Sequence, residues 1–215
     1  EEIVRWNKRI ERLISPFTSS LPDTQTRVEF QAQQINTLNE QLNGEKRRTT
    51  QLTLLSELSQ QLENQLDAPM ASQLAVNTLQ RSRNCTLAVL YIHGPERHEL
   101  VALAAAGTRA SILPPGYRQS VNMGILGRTL RLRKTQVIHD SRLESDFLQV
   151  NEEKTLSTVA VPLIDHGHLK AVLEISDDQL NAFSSSDVQI TEAVAAELLR
   201  AWERSEYHQR LTELI

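Results

Sequence analysis

The amino-acid sequence predicts an α/β (α+β) chain: a central sheet with helices on either side, one long helix leading in and another leading out. Three stretches carry that reading. The first is Ser157 to Ser176, two apolar, β-branched runs separated by Asp165-His166-Gly167, a hairpin signal. Val159, Val161 and Leu163 alternate to one face, as do Leu169, Ala171, Leu173 and Ile175 on the return strand. Ala160, Ile164 and Val172 occupy the other face, so the hairpin is expected to be buried on both sides, at the centre of a sheet. Pro162 cannot donate to a ladder and calls for a bulge or a missing neighbour. The second stretch is a proline-free heptad pattern from Val28 onward. The third is the apolar stripe Val188, Thr191, Val194, Ala195, Leu198, Ala201 and Trp202, which continues through Tyr207, Leu211 and Leu214.

Taken in order, residues 1–15 place Ile3, Trp6, Ile10 and Leu13 three and four apart, an amphipathic helix. Ser15-Pro16 is read as its end, with a connector over 16–27. Thr26 with Glu29 forms a capping-box signature. Over 28–66, Val28, Ile35, Leu38, Leu42 and Leu52 fall on one seam, with Gln31, Glu45 and Thr49 as its polar members. That helix would be roughly 60 Å long at ~1.5 Å per residue, and so narrow a stripe needs a partner. A parallel coiled coil between two copies is expected, with Ile35, Leu38, Leu42 and Leu52 at the interface and Leu198 and Trp202 joining from the closing helix. The other reading folds this helix back on its own domain. After Leu52 the stripe shifts by one position to Leu55, Leu58 and Leu62, a hand-off from the partner to the following domain.

Asp67-Ala68-Pro69 is a helix start, and its pattern runs to about Arg83. Thr86 to Ile92 is an apolar strand, Gly94-Pro95 turns the chain, and Leu100 to Ala106 is the partner strand. Thr108 to Tyr117 is loop, broken at Pro114-Pro115-Gly116. A short helix begins at Gly124 and a short strand at Gln136. Residues 140–156 form a long polar loop, the kind that carries function over a sheet. Ser184 with Asp187 caps the closing helix over 185–215.

Composition excludes several classes. The net charge is −4 with both signs interspersed, so there is no basic stripe for nucleic acid. Cys85 is the only cysteine, so no intramolecular disulfide or multi-thiolate metal site can form, and the content fits a reducing compartment. No run approaches the ~18 apolar residues that span a bilayer, and no signal peptide is visible. A cytoplasmic location is expected, in a piece of a longer protein.

Four local patterns resemble the GAF domain family. Asn122-Met-Gly124-Ile-Leu-Gly127-Arg-Thr is similar to its Gly-rich short helix, and Val137-Ile-His-Asp140 to the following strand with its Asp. Val159-Ala-Val-Pro162-Leu163 resembles its Val-Pro-Leu strand, and Phe183-Ser-Ser-Ser-Asp187 its entry to the last helix. The resemblance spans roughly Leu54 to Arg204. Asn122 and Lys134 depart from it where the family commonly has glycine. It implies a mostly antiparallel sheet, related in type to PAS domains, with helices on one face and a small-molecule pocket under loops on the other. It also implies a regulatory role between long helices of dimeric signalling proteins. Pocket candidates by position are Tyr117, Met123, Arg128, His139, Asp140, Phe147 and Glu174.

Thiol redox chemistry in this fold would need several cysteines, and Cys85 alone reads as a small buried hydrophobe. No cysteine lies in the region after Asp140, so a covalent bilin is not expected. The pair that cyclic-nucleotide-binding members carry is replaced here by Asp177-Asp178 and Asn181, and Val188 stands where they have Glu. His93, His98, His166 and His168 sit at turns and read as solvent-facing; His139 could ligate a metal only alone. The Gly124–Gly127 helix start offers either an anion site or close packing. Glu174 either pairs with Lys170 or a closing-helix arginine, or lines the pocket. No acid–base–nucleophile arrangement is visible, so no enzyme is expected. The expected role is a sensory and dimerisation module joined to an output domain such as a kinase, nucleotide cyclase or phosphatase. The ligand is an unidentified small molecule, and there is no nucleic-acid partner or membrane contact within the chain. A ligand-free adaptor and the effector domain of a transcription regulator are the alternatives.

Overall fold

The computed structural model describes residues 2–63, 67–94, 96, 98–113, 116–149 and 154–213, with the side chains of 2–4, 14–24, 47 and 207–213 excepted. By internal contacts the chain divides into Glu1–Thr50 and Gln51–Ile215. Four helices and six strands are described: α1 Glu2–Glu63, α2 Ala68–Arg83, β1 Leu87–Gly94, β2 Glu99–Ala106, β3 Arg118–Ser120, α3 Gly124–Leu132, β4 Gln136–Ile138, β5 Ser157–Asp165, β6 His168–Asp177 and α4 Ser185–Glu213. Short 3-10 turns lie at Ala110–Ile112 and Ser141–Leu143.

The sheet has the order β3-β2-β1-β6-β5-β4, and every neighbouring pair is antiparallel. The β5–β6 hairpin lies next to central β1, as its two-sided apolar pattern requires. Asp165 pairs with His168, and His166 and Gly167 both have positive φ (44° and 80°), a type I′ turn. Pro162 is accommodated because β4 pairs only with Thr158 to Ala160, so β5 has no ladder neighbour on that edge at Pro162. The β5–β6 register also shifts between Leu163 and Ile164.

The two sheet faces are covered differently. On one, Leu90, Val161, Leu173 and Ile175 pack against Leu58 and Leu62 of α1, Val76 and Leu79 of α2, and Val194 and Leu198 of α4. On the other, Val89, Tyr91, Ala160 and Val172 meet Ile125 and Leu126 of α3 and the loops around it. The helix ends are set by local chemistry. Asp67 caps α2, and Asn84 closes it in the left-handed region. At α4, Asp187 accepts from the backbone N–H and the hydroxyl of Ser184, both at 2.7 Å, while its own N–H donates back to Ser184 Oγ, a capping box with Asp at the third position. Arg83 at the end of α2 forms an ion pair with the same Asp187, tying the two helices together.

Burial along α1 reproduces the shift in the stripe. Ile35, Leu38, Leu42 and Leu52 are 52–62% exposed, whereas Leu58 and Leu62 are each 1% exposed. The exposed seam therefore ends where the seam buried in the domain core begins.

Two expectations are corrected and one strand is added. The connector over 16–27 is helical, and α1 runs unbroken from Glu2 to Glu63. Proline removes one N–H from the helix ladder, and on a solvated helix water can take the freed carbonyl. Leu198 has no exposed surface in the chain alone, so it belongs to the domain interior rather than to a dimer interface, while Trp202 packs partly buried against the same core. Strand β3 follows directly on the loop expected over Thr108 to Tyr117 and has no counterpart in the sequence reading, since its three residues are too short and too polar to show a period. The Pro114-Pro115 break, Pro95, Leu66 and the side chains of Tyr207, Leu211 and Leu214 lie outside the described residues.

Candidate ligand site

Over the α3 face of the sheet, two small cavities of about 40 and 30 Å³ lie side by side. Tyr91 of β1, Glu174 of β6, and Phe147 and Leu148 of the loop before β5 line both. The larger adds Arg109, Thr155 and Ser176 to that wall, and the smaller adds Gln119, Ile125 and Leu126. They are in effect one site, divided by the loop.

Strand alternation builds its floor. Glu174 and Ser176 are two apart on β6 and share a face, and Thr158 of β5 pairs with Ser176 across the ladder. Glu174 Oε1 accepts from Thr158 Oγ1 at 3.0 Å and from Ser176 Oγ at 3.1 Å. Burial pushes the Glu174 carboxyl above the usual carboxylate range, opposed by those two hydroxyls and by Tyr91. Burial and the facing carboxylate together push the Tyr91 phenol well above its ordinary value, and Tyr117 is raised for the same reasons.

A charged strap holds the loop in place. Arg128 of α3 donates to Glu144 Oε2 at 2.5 Å and to Asp146 Oδ1 and Oδ2 at 2.6 and 3.2 Å. The forked geometry fixes Asp146 immediately before Phe147 and Leu148. Gly127, one turn into α3, sits where a Cβ would come within 2.5 Å of Val121 O. The Gly124–Gly127 motif thus serves close packing of α3.

Of the seven residues singled out from sequence, the structure brings Tyr117, Phe147 and Glu174 together. The other four stand elsewhere. Met123 is 51% exposed at the start of α3. Arg128 is engaged by the loop acids. His139 is exposed, its carbonyl accepting from Asn181 N. Asp140 caps the second 3-10 turn and pairs with Arg142. Glu174 does not pair with Lys170, whose partners are Asp165 and Glu206. Sequence reasoning missed Tyr91, Gln119, Thr158 and Ser176. The signal for the last two was available: polar residues at alternate positions beside Glu174 in otherwise apolar strands.

The sign of the Glu174 shift makes a prediction. A carboxyl whose folded-state pKa is raised contributes stability at pH below its ordinary value, and that contribution is lost as pH rises through the raised value. Glu174→Gln should therefore gain on the parent chain between acid and neutral pH, as read by urea midpoints at a series of pH values. A difference that does not change with pH would contradict the burial argument.

The sheet is antiparallel and six-stranded, with α1, α2 and α4 on one face and α3, the loops and the small polar cavities on the other. The GAF domain model matches residues 65–203, and the chain belongs to that family. No curated protein matches the chain by sequence. Among solved structures, it is similar to the GAF domain from an Acinetobacter phosphoenolpyruvate-protein phosphotransferase, at 16% identity and TM-score 0.67, covering 74% of this chain and 95% of that one. It is also similar to residues 122 to 287 of a methyl-accepting chemotaxis protein, at 19% identity and TM-score 0.61, covering 70% and 97%. A free methionine-R-sulfoxide reductase from Neisseria meningitidis, solved with its substrate, has 19% identity and TM-score 0.65, covering 72% and 89%. At these identities the likeness is one of fold.

Proposed function

We propose that this chain is the sensory and dimerisation GAF module of a cytoplasmic signal-transduction protein. Two copies pair in parallel through residues 28–52 of α1, and the state of the ligand site reaches an output domain, such as a kinase, nucleotide cyclase or phosphatase, through α1 and α4. The observation that carries the reading is the burial switch on α1, from an exposed heptad seam at Ile35, Leu38, Leu42 and Leu52 to the domain core at Leu58 and Leu62. A ligand can bias the module only by its difference in affinity between two arrangements of those helices. The phosphotransferase and chemotaxis-protein likenesses agree with a signalling context. No described helix is long and apolar enough to cross a membrane, in keeping with the proposed location.

The reductase likeness is weighed on the thiol. Cys85 is buried beside β1, and its pKa is pushed up to about 11, by burial first and then by the charge of Asp177. At neutral pH such a thiol supplies almost no thiolate, the form that attacks. This supports a regulatory role over thiol catalysis. The small cavity volumes favour one second reading, a ligand-free adaptor that binds only partner proteins.

The test is covalent. In a parallel, in-register coil, Leu38→Cys places the two introduced thiols opposite each other. Mild oxidation should then give a disulfide-linked dimer, seen without reductant on a denaturing gel, while the same chain with Phe30→Cys should link far less. No linkage at position 38 would defeat the parallel coil.

A further inference from the structure

The wall of the smaller cavity has a particular chemistry, and the inference rests on reading this face as the ligand site. Glu174 is a carboxylate set into the sheet with only hydroxyl partners, Thr158, Ser176 and Tyr91. Among the described residues no lysine, arginine or histidine lies within ion-pair distance of it. A carboxylate so placed costs free energy that a matching cation would repay. The surroundings are aromatic. Tyr91 and Phe147 line the cavity with Glu174, and Tyr117 stands near enough for the carboxylate to perturb it. Two of the chain's three tyrosines are thus gathered around one acid in a sequence that is 4% aromatic. Aromatic faces attract a cation, most strongly where water is excluded. Gln119 is pinned by donating from Nε2 to Met123 O at 2.9 Å, which leaves its carbonyl oxygen as a further acceptor in the same wall. Arg109 lines the larger cavity with Glu174 and its charge acts on the carboxylate from that side, whereas no cation lines the smaller cavity.

We propose that the smaller cavity is the head-group pocket for a small organic ammonium, with Glu174 as counter-charge, Tyr91 and Phe147 as cation–π faces, and Gln119 as a second acceptor. Its volume of about 30 Å³ is that of roughly one water in the liquid. It therefore takes a primary ammonium head, while the rest of the molecule displaces Phe147 and Leu148 by releasing the Arg128 strap.

The experiment uses the full chain and three probes of one shape: n-propylammonium chloride, sodium propionate and 1-propanol, at matched ionic strength. Thermal unfolding and the ring-proton NMR signals of Tyr91 and Phe147 are the readouts. Propylammonium is expected to raise the midpoint and shift both rings, the other two to do neither, and Glu174→Gln to abolish both effects. Phe147→Leu should weaken the binding about tenfold, in line with the loss of one cation–π face, and serves if Glu174→Gln fails to fold. A response to propionate or propanol equal to that of propylammonium, or one that survives in Glu174→Gln, overturns the ammonium assignment and leaves the ligand-site reading standing. No response to any probe, in the parent chain and in Arg128→Ala alike, overturns both in favour of the adaptor.

Discussion

Leu58→Ala should lower the stability of the folded chain by about 3 kcal/mol, the middle of the range for truncating a buried leucine. Leu58 is 1% exposed and lies in the core cluster with residues of α2, α4 and the sheet. Removing its isopropyl group leaves a void between elements anchored by other contacts: Leu62 one turn on, and Gln51, whose side chain donates to Ser186 Oγ of α4 at 2.5 Å. Collapse around the void is therefore resisted, and the full transfer and cavity costs appear. Urea unfolding followed by far-ultraviolet circular dichroism reads the loss. Leu143→Ala is the control; Leu143 is 82% exposed, and its truncation should stay within about 0.5 kcal/mol of the parent. If Leu58→Ala behaves like the control, the end of α1 is not docked on the domain and cannot carry a signal into it.

Gly107→Ala is expected to cost more than about 3 kcal/mol, because two penalties add. Gly107 leaves β2 with φ of +116°, a conformation closed to side chains that carry a Cβ. An alanine Cβ there would also stand 2.3 Å from Thr86 O and 3.1 Å from Leu87 Cα, both backbone atoms that cannot swing aside. Thr86 O is moreover the acceptor for Arg109 N–H at 3.1 Å, so forcing it away opens the turn that brings Arg109 and Leu113 to the larger cavity. Gly116→Ala isolates the conformational part. Its φ is +77° and its Cβ would meet nothing within 4 Å, so about 1 kcal/mol is expected there. Equal losses at the two glycines would show that the close approach at Thr86 relaxes freely.

Much of the architecture was legible because it follows from period and punctuation. The β5–β6 hairpin reads directly from alternation on both faces and Asp165-His166-Gly167 between them, and the structure places it next to β1, away from the sheet edges. The switch from Leu52 to Leu55, Leu58 and Leu62 is a one-position phase change, and burial follows it. The GAF resemblance rested on four short motifs, and the family match at residues 65–203 falls inside the span they marked.

The site was only partly legible, for a physical reason. Being near a functional loop does not set the direction of a side chain. Arg128, Asp140 and Met123 were chosen by position, but the first two found opposite charges on the loop itself, at Glu144, Asp146 and Arg142. Glu174 could be read because a carboxylate in a buried strand must be answered by something nearby. Tyr91 could not, since an aromatic inside Leu-Ala-Val-Leu-Tyr-Ile has the appearance of plain core until its hydroxyl is seen beside that carboxylate. Leu198 reads as an interface residue in sequence because a stripe alone does not say which body it packs against.

The account turns on two copies being joined along α1. Light scattering coupled to size exclusion, on the chain at micromolar concentration, should give twice the 24.3 kDa chain mass, and Ile35→Lys with Leu38→Lys should return it to the single-chain value while the domain stays folded. A single-chain mass for the unmodified protein would contradict the account, because the exposed seam would then have no partner and the ligand site no helical path to an output.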